Sequence, residues 1–252
     1  MTSGHPVPTL SAVALAAVTA LTSPCLRFTS PAELYGNGRV SPEFSEIRIT
    51  FNPDGTSVLW GSTNRPGGPG GSGGDDLYAA AVDTATGRYG EARNLGPRVN
   101  SAGDEWAPVV SADGATLLFA TDGRGGKGLH DLFVSSREKG EWQEPKPLEA
   151  VNGPDEDFDG AFLSDGHTLV FTRRRKDQDG ADLYVAPWRD GHYATPQRLG
   201  PEVNAEKGWN LGPATHPGEP GFLYFSSHRS ENTAGRLDIY RVGYRIEVEA
   251  TK

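Results

Sequence analysis

The stretch of sequence that decides the fold runs from Asp104 to Phe119 and reads DEWAPVVSADGATLLF. Its two apolar runs lie on either side of an Asp-Gly turn, and a glycine-rich loop then leads to the apolar phrase DLFV at 131–134. Short β-branched and aromatic runs separated by Asp-Gly are typical of antiparallel strands joined by hairpins. The stretch therefore predicts β-structure.

This stretch recurs along the chain at a nearly constant spacing. Asn100, Asn152 and Asn204 each close a phrase that begins with leucine, and both steps, 152 − 100 and 204 − 152, are 52 residues. The repeat also contains turns at Asp54-Gly55, Asp113-Gly114, Asp165-Gly166 and Pro217-Gly218, and the phrases Asp76-Leu77-Tyr78, Asp131-Leu132-Phe133, Asp182-Leu183-Tyr184 and Asp238-Ile239-Tyr240. A period near 50 with about four strands per unit predicts an all-β fold, a small β-propeller of about four blades of four antiparallel strands. A sandwich or a barrel is the alternative, but neither predicts a fixed step.

The phrase Asp-Glu-x-x-Pro-x-x-Ser-x-Asp-Gly-x-x-Leu-x-Phe, followed by Asp-Leu-Tyr/Phe, resembles the WD-like β-propeller repeat of bacterial TolB-like and envelope-associated proteins. The resemblance extends from Ser41 to Val242. It implies an exported propeller that binds other proteins or envelope components and does not catalyse a reaction. The chain departs from TolB in having four clear copies, whereas TolB has six blades and an additional N-terminal domain. TolB's partners are therefore not carried over.

The N-terminus predicts export. Residues 10–21 form a 12-residue apolar stretch that suits the core of a signal peptide, although residues 1–9 contain no lysine or arginine. We expect residues 1–25 to be a signal peptide or a disordered N-terminus, and residues 26–252 to be one propeller domain with units at approximately 41–100, 101–152, 153–204 and 205–244. Cys25 is the one cysteine, so the chain has no intrachain disulfide, and its poor lipobox does not favour a lipid anchor.

Composition limits the partners. The formal charge of −9 argues against a nucleic-acid or anionic-lipid surface and favours a neutral or basic ligand, either a protein or an envelope polymer. We expect a periplasmic or extracellular monomer with no transmembrane span. The segment 26–34 is expected to complete the last blade beside 238–242, because a paired edge is protected from aggregation. Residues 245–250 are the competitor for that place.

A carboxylate stands eight residues before the turn aspartate in three units, at Glu46, Glu105 and Asp157. The fourth unit has Trp209 and Asn210 there. Since the first strand of a blade is innermost, the three carboxylates are expected to converge near one mouth of the channel. At least one of them should then have a raised pKa through repulsion between like charges, unless a cation or an arginine is bound among them. Two roles remain open: an acidic mouth that binds a cation or a basic side chain, and hydrogen bonding that holds neighbouring turns together.

Two function classes follow. The first is a noncatalytic binding propeller, with Glu46, Glu105, Asp157, Trp209 and Asn210 as candidate binding residues. The second is a propeller glycosidase or lyase that uses the same carboxylates, although near-identical repeats do not favour the unlike pair that such chemistry needs. No cofactor is expected. Calcium at the acidic runs 155–160 or 177–182 is an open alternative, and the six histidines show no zinc spacing.

Overall fold

The computed structural model describes residues 26–31, 33–34, 50–63, 75–86, 88–90, 93–177, 179–206, 208–216, 218–229 and 237–247. Every regular element in these ranges is a β-strand, so the all-β prediction is confirmed. Across the same ranges, no helix is long and apolar enough to cross a membrane.

The strands are grouped in four successive units, with two short strands before the first unit. The two preceding strands are β1 (Leu26–Phe28) and β2 (Glu33–Leu34). Unit 1 contains β3 (Thr50–Phe51), β4 (Ser57–Thr63), β5 (Asp75–Asp83), β6 (Arg88–Tyr89) and β7 (Arg93–Asn94). Unit 2 contains β8 (Glu105–Val110), β9 (Thr116–Thr121), β10 (Asp131–Glu138), β11 (Glu141–Trp142) and β12 (Lys146–Pro147). Unit 3 contains β13 (Glu156–Phe162), β14 (Leu169–Arg174), β15 (Gly180–Ala186), β16 (Trp188–Arg189), β17 (His192–Tyr193) and β18 (Gln197–Arg198). Unit 4 contains β19 (Gly208–Thr215), β20 (Phe222–Ser227) and β21 (Asp238–Ile246).

Each unit is an antiparallel meander. In each unit the first three strands pair in chain order. In units 1 to 3 a short outer strand, β7, β12 or β18, then pairs with the third strand. In unit 4 the two N-terminal strands pair with β21: β2 places Leu34 opposite Tyr240, and β1 places Phe28 opposite Tyr244. Arg245, which was considered as part of a competing outer strand, instead belongs to β21 and pairs with Arg27 of β1.

The first strand of units 2, 3 and 4 carries a bulge at the same place. The register shifts between Trp106 and Val109, between Phe158 and Gly160, and between Leu211 and Ala214. Within these shifts φ is positive at Ala107 (51°), Asp159 (49°) and Gly212 (59°). A bulge re-aims the side chains that follow it, so strict alternation ends there. The repeat did not reveal the bulge because three different residue types occupy it.

The hydrophobic cores lie between units rather than within one sheet. Successive side chains of a strand point to opposite faces, so Leu117 and Phe119 pack toward Leu59 and Leu77 of unit 1, while Leu118 packs toward unit 3. The third core joins units 3 and 4 through Val170, Leu183, Val185, Leu223, Phe225, Tyr240 and Val242. The aromatic residue of the Asp-Leu-Tyr phrases packs between units at Phe133 and Tyr240, which are buried in these cores.

Candidate functional site

The connection between consecutive units is built around the repeated asparagine. The side chains of Asn100, Asn152 and Asn204 accept a hydrogen bond from the backbone N–H of Leu77, Leu132 and Leu183, at 2.9, 3.0 and 2.7 Å. Each amide also donates to the carbonyl of the same leucine, at 3.1, 2.9 and 3.0 Å. The asparagine thus fastens the linker between two units to the third strand of the preceding unit. We call this arrangement the asparagine clip.

The predicted carboxylates hold the next step of the linker. Glu105 accepts from the backbone N–H of Ser101 (2.8 Å), from the Ser101 hydroxyl and from the Thr121 hydroxyl (2.8 Å). Asp157 accepts from the N–H of Gly153 (2.7 Å) and from two guanidinium nitrogens of Arg173 (2.6 and 2.9 Å). Ser101 and Gly153 directly follow the clip asparagines, so each carboxylate ties the linker to the first strand of its unit.

Unit 4 uses an amide in the same place. Asn210 accepts from the N–H of Ala205 (3.1 Å) and the hydroxyl of Ser227 (2.7 Å), and donates to the carbonyl of Ala181 (3.1 Å). Asn210 is therefore the equivalent of Glu105 and Asp157. Trp209 lies one residue earlier, with the Arg174 guanidinium 5.3 Å from the centre of its ring.

These polar side chains are buried. Glu105, Asp157 and Asn210 each have 0% exposed surface. Burial raises the pKa of the Glu105 carboxyl, against the opposing hydrogen bonds from Ser101 and Thr121. Burial also raises the pKa of Asp157, against the opposing effect of Arg173. The direction agrees with the expectation from the sequence, but the main cause is desolvation and not repulsion between the repeated carboxylates.

Glu46 lies outside the described residues, so the predicted convergence of three carboxylates stays a prediction. The described part of unit 1 does show the function of its turn aspartate: Asp54 accepts from the N–H of Thr56 at 2.8 Å. Asp113 and Asp165 do the same in units 2 and 3 with Ala115 (3.0 Å) and His167 (3.0 Å). The turn aspartates therefore have a structural role: each accepts a backbone hydrogen bond within its own turn.

A group of polar side chains that the sequence analysis missed lies beside unit 2. Asp104, Asp122 and His130, named here the acid–histidine cluster, place one potential ligand atom each within 4.8 Å of one another. The His130 ring stacks on Trp106, with 3.9 Å between ring centroids, and its Nδ1 lies 2.7 Å from Glu156 of unit 3. The three residues are separated by 18 and 8 positions, so no compact motif could reveal them. Among the described residues, the acidic runs 155–160 and 177–182 form no comparable group.

A concave surface lies between units 2 and 3. This aromatic groove has a volume of about 410 Å³, and its lining residues include Val134, Pro147, Leu148, Phe162, His167, Trp188 and Tyr193. Trp188 and Tyr193 face each other across the β16–β17 hairpin in an edge-to-face contact with 4.8 Å between centroids, and His167 stacks on Trp188 at 5.5 Å. Burial raises the pKa of Tyr193 to about 12, so its phenol stays protonated at neutral pH.

Comparison with solved structures finds proteins similar to this chain. TolB from Acinetobacter baumannii is 15% identical, with 79% of this chain and 44% of that chain covered and a TM-score of 0.48. A TolB candidate from Agrobacterium tumefaciens is 17% identical, with 78% and 57% covered and a TM-score of 0.48. The microbial sialidase Hz136 is 15% identical, with 80% and 46% covered and a TM-score of 0.47.

Two of these similar structures are TolB-like proteins, the family that the repeat resembles. The chain spans 44% and 57% of the length of the two TolB structures. No protein-family model and no curated protein matches the chain. The similar structures include both TolB and enzymes, and their activities and ligands belong to those proteins.

Proposed function

We propose that the chain is a noncatalytic, exported β-propeller that binds a protein, a peptide or an envelope polymer, and that the aromatic groove takes part of this ligand. The observation that carries the proposal is the concave, mostly apolar lining of the groove with its aromatic pair, Trp188 and Tyr193. Ligand sites are commonly apolar clefts with a few polar groups that orient the ligand. Asp113 and Glu149 supply carboxylates to the lining, which suits a neutral or basic ligand.

The groove differs from the corresponding position of unit 2. There the hairpin aromatic residue, Trp142, is paired with Arg137, whose guanidinium lies 5.2 Å from the ring centroid. In unit 3 the hairpin pairs two aromatic residues instead. Trp188 and Tyr193 are half-buried, so each keeps part of its ring for a ligand. Aromatic side chains bring a large contact area at a small entropic cost, and they are frequent anchors of binding surfaces. This difference supports the groove as the place of ligand contact.

Replacement of Trp188 by alanine is expected to weaken binding about 30-fold, because truncation of a central aromatic anchor costs about 2 kcal/mol. The ligand is first captured from an envelope extract on the immobilised chain and identified. Its dissociation constant is then measured by calorimetry with the wild type and the variant. Trp142→Ala is the matched control, since it removes an indole from the equivalent hairpin outside the groove. Equal losses in the two variants, or none in Trp188→Ala, would overturn the groove assignment.

For Glu105, Asp157 and Asn210 we propose the second of the two roles left open by the sequence, which is to hold the linkers. Their complete burial and their hydrogen bonds to the residues after the clip asparagines support this role. An acidic mouth that includes Glu46 is the competing proposal. Ligand binding that is lost on Glu46→Gln and retained in Trp188→Ala would favour the acidic mouth.

We also propose that the four units close into one monomeric ring, with β1 and β2 completing the fourth blade. The support for the completed fourth blade is the pairing of both strands with β21, together with the hydrogen bond from Thr29 N–H to the Gly243 carbonyl (2.6 Å) and that from Gly243 N–H to the Ser30 hydroxyl (3.0 Å). Closure of the ring rests on the four-unit repeat alone, since the hydrophobic cores of the described residues join units 1 and 2, units 2 and 3, and units 3 and 4. A completed outer strand covers an edge that would otherwise pair with other chains.

Deletion of residues 1–34 is expected to lower the free energy of unfolding by roughly 2 kcal/mol relative to deletion of residues 1–25, through the loss of the strand hydrogen bonds. The longer deletion should also aggregate, because β21 becomes an edge strand. Thermal unfolding and light scattering measure the two effects. Equal melting temperatures for the two deletions would contradict closure by β1 and β2, and a stable dimer of the chain from residue 26 would contradict the monomeric ring.

One observation favours the enzymatic alternative. Burial raises the pKa of Glu105, as required of a general acid in a glycosidase. Its carboxylate has no exposed surface, however, and its oxygens are engaged by Ser101 and Thr121. Cleavage of a glycan by the native chain, lost in Glu105→Gln, would make the enzymatic alternative correct and the noncatalytic proposal wrong.

A further inference from the structure

We infer that Asp104, Asp122 and the Nε2 atom of His130 form a binding site for a divalent first-row transition ion, with Zn²⁺ as the reference ion. The site does not involve the aromatic groove, so it stands whether or not the proposed ligand binding is correct. It lies where the linker into unit 2 meets the loop that follows β9. Two carboxylates and one imidazole are a ligand set that suits such ions.

His130 is the observation that points to a ligand. Its side chain is 9% exposed, and its Nε2 atom is buried without a hydrogen-bond partner among the described residues. Asp122 Oδ2 lies 3.9 Å from this atom, which is beyond hydrogen-bond range. A buried polar atom with no partner is costly, and a bound cation would supply the missing partner.

The other ring nitrogen is already oriented. Glu156 lies 2.7 Å from Nδ1, and Arg174 lies 3.3 Å from the second oxygen of the same carboxylate. A hydrogen bond from Nδ1–H to the Glu156 carboxylate leaves the lone pair of the ring on Nε2, the atom on the side of the cluster. A carboxylate that orients a histidine in this way is the usual outer partner of a metal-binding imidazole. The stacking of Trp106 on His130 further fixes the plane of the ring.

The two carboxylates each keep one oxygen for an ion. Asp104 uses Oδ1 to accept from the N–H of Asp75 (2.7 Å), and Asp122 uses Oδ1 to accept from the N–H of Asp104 (2.9 Å). Gly103 and Gly123 allow this close approach, since a Cβ at Gly103 would collide with the Asp122 carboxylate and with the backbone of Gly123. Among the residues that the structure describes, no hydrogen bond is made to the second oxygen of either aspartate, so that oxygen can bind an ion. Ligands of one tetrahedral ion lie about 3.4 Å apart. The 3.9 Å between His130 Nε2 and Asp122 Oδ2 must therefore shorten by about 0.5 Å, and no pair of the three ligand atoms is more than 4.8 Å apart.

Charge also distinguishes this site from its counterpart in unit 3. The strand registers make Glu156 the counterpart of Asp104, and Arg174 the counterpart of Asp122. In unit 3 these two residues form an ion pair, whereas within the described residues no lysine or arginine forms an ion pair with Asp104 or Asp122. In unit 3 the Arg174 guanidinium thus balances the charge of Glu156. Within the described residues no basic side chain does the same for Asp104 and Asp122, which suits the binding of a metal cation. Ca²⁺ and Mg²⁺ are disfavoured because they prefer six or more oxygen ligands.

Calorimetry with ZnCl₂ on the metal-stripped full chain tests the inference. We expect one saturable site, with a more than 100-fold loss of affinity in Asp122→Asn and in His130→Asn, and a 10–100-fold loss in Glu156→Gln. Asp190→Asn and His192→Asn are matched controls, because they remove an exposed carboxylate and an exposed imidazole elsewhere. Both controls should bind as the wild type does.

Two further measurements keep the test decisive if a variant folds poorly. Zn²⁺ should raise the melting temperature of the wild type and of the controls, but not of Asp122→Asn, whose change lies at a half-exposed position. Co²⁺ should show visible absorption bands that disappear in the same variant. Absence of saturable binding up to ~1 mM Zn²⁺, or equal affinities in wild type and Asp122→Asn, would overturn the site.

Discussion

Replacement of Asn204 by alanine is expected to lower the free energy of unfolding by about 3–4 kcal/mol. The Asn204 side chain accepts from the N–H of Leu183 and donates to the carbonyls of Leu183 and Leu199, and it is buried. Alanine removes all three hydrogen bonds and leaves a buried N–H without an acceptor. Since a domain of this kind is stable by about 5–15 kcal/mol, the change is a large fraction of the total.

Urea unfolding followed by circular dichroism measures this loss. Gln143→Ala is the control, since the Gln143 side chain makes one exposed hydrogen bond, to the Glu141 carbonyl, and its loss should cost less than ~0.5 kcal/mol. Asn204→Asp distinguishes the hydrogen bond that the side chain accepts from those that it donates. An aspartate can accept from the N–H of Leu183, but its ionised form cannot donate to the carbonyl of Leu183 or Leu199. A loss below ~1 kcal/mol in Asn204→Ala would show that the asparagine clip is not a main support of the fold.

Replacement of Glu105 by alanine is expected to lower the free energy of unfolding, whereas replacement by glutamine is not. Alanine leaves the Ser101 N–H and the Ser101 and Thr121 hydroxyls without their acceptor, at a cost of about 3 kcal/mol. Glutamine keeps an acceptor and removes the buried charge. Asn210 shows that an amide fits the equivalent place in unit 4. Glu105→Gln should therefore be as stable as the wild type at neutral pH, or more stable.

The difference in stability between the wild type and Glu105→Gln is expected to depend on pH. Burial raises the pKa of Glu105 above its ordinary value of 4.5, so the folded state binds the proton more tightly than the unfolded state does. The stability contributed by this group is fully present below the ordinary value and is lost as the pH rises through the raised pKa. Denaturant unfolding from ~pH 4 to ~pH 8 should thus show the wild type losing stability relative to Glu105→Gln as the pH increases. A relative gain by the wild type would mean that the hydrogen bonds outweigh burial.

The repeated residues were predictable because each makes a local hydrogen bond or packing contact that recurs from unit to unit. A turn aspartate bonds to the backbone two residues later, and an aromatic residue of the third strand reaches the neighbouring core. Because the same contact requires the same type of side chain, these residues recur at a fixed spacing along the sequence. The holding role of Glu105 and Asp157 was one of two open roles, since the spacing shows that a carboxylate recurs but does not show its burial.

The sequence by itself determined the all-β class, the four repeated units, the turn aspartates and the resemblance to TolB-like propellers, because a 52-residue period records contacts that every unit makes in the same way. Only the tertiary structure decided the acid–histidine cluster and the aromatic groove. His130 meets Glu156 across two units, and Trp188 faces Tyr193 in one hairpin alone, so neither contact repeats. Burial also arises only when the units pack on one another. It raises the pKa of Glu105 and leaves Nε2 of His130 without a hydrogen-bond partner within the described residues. The spacing of residues along the chain encodes neither effect, because both depend on contacts between units.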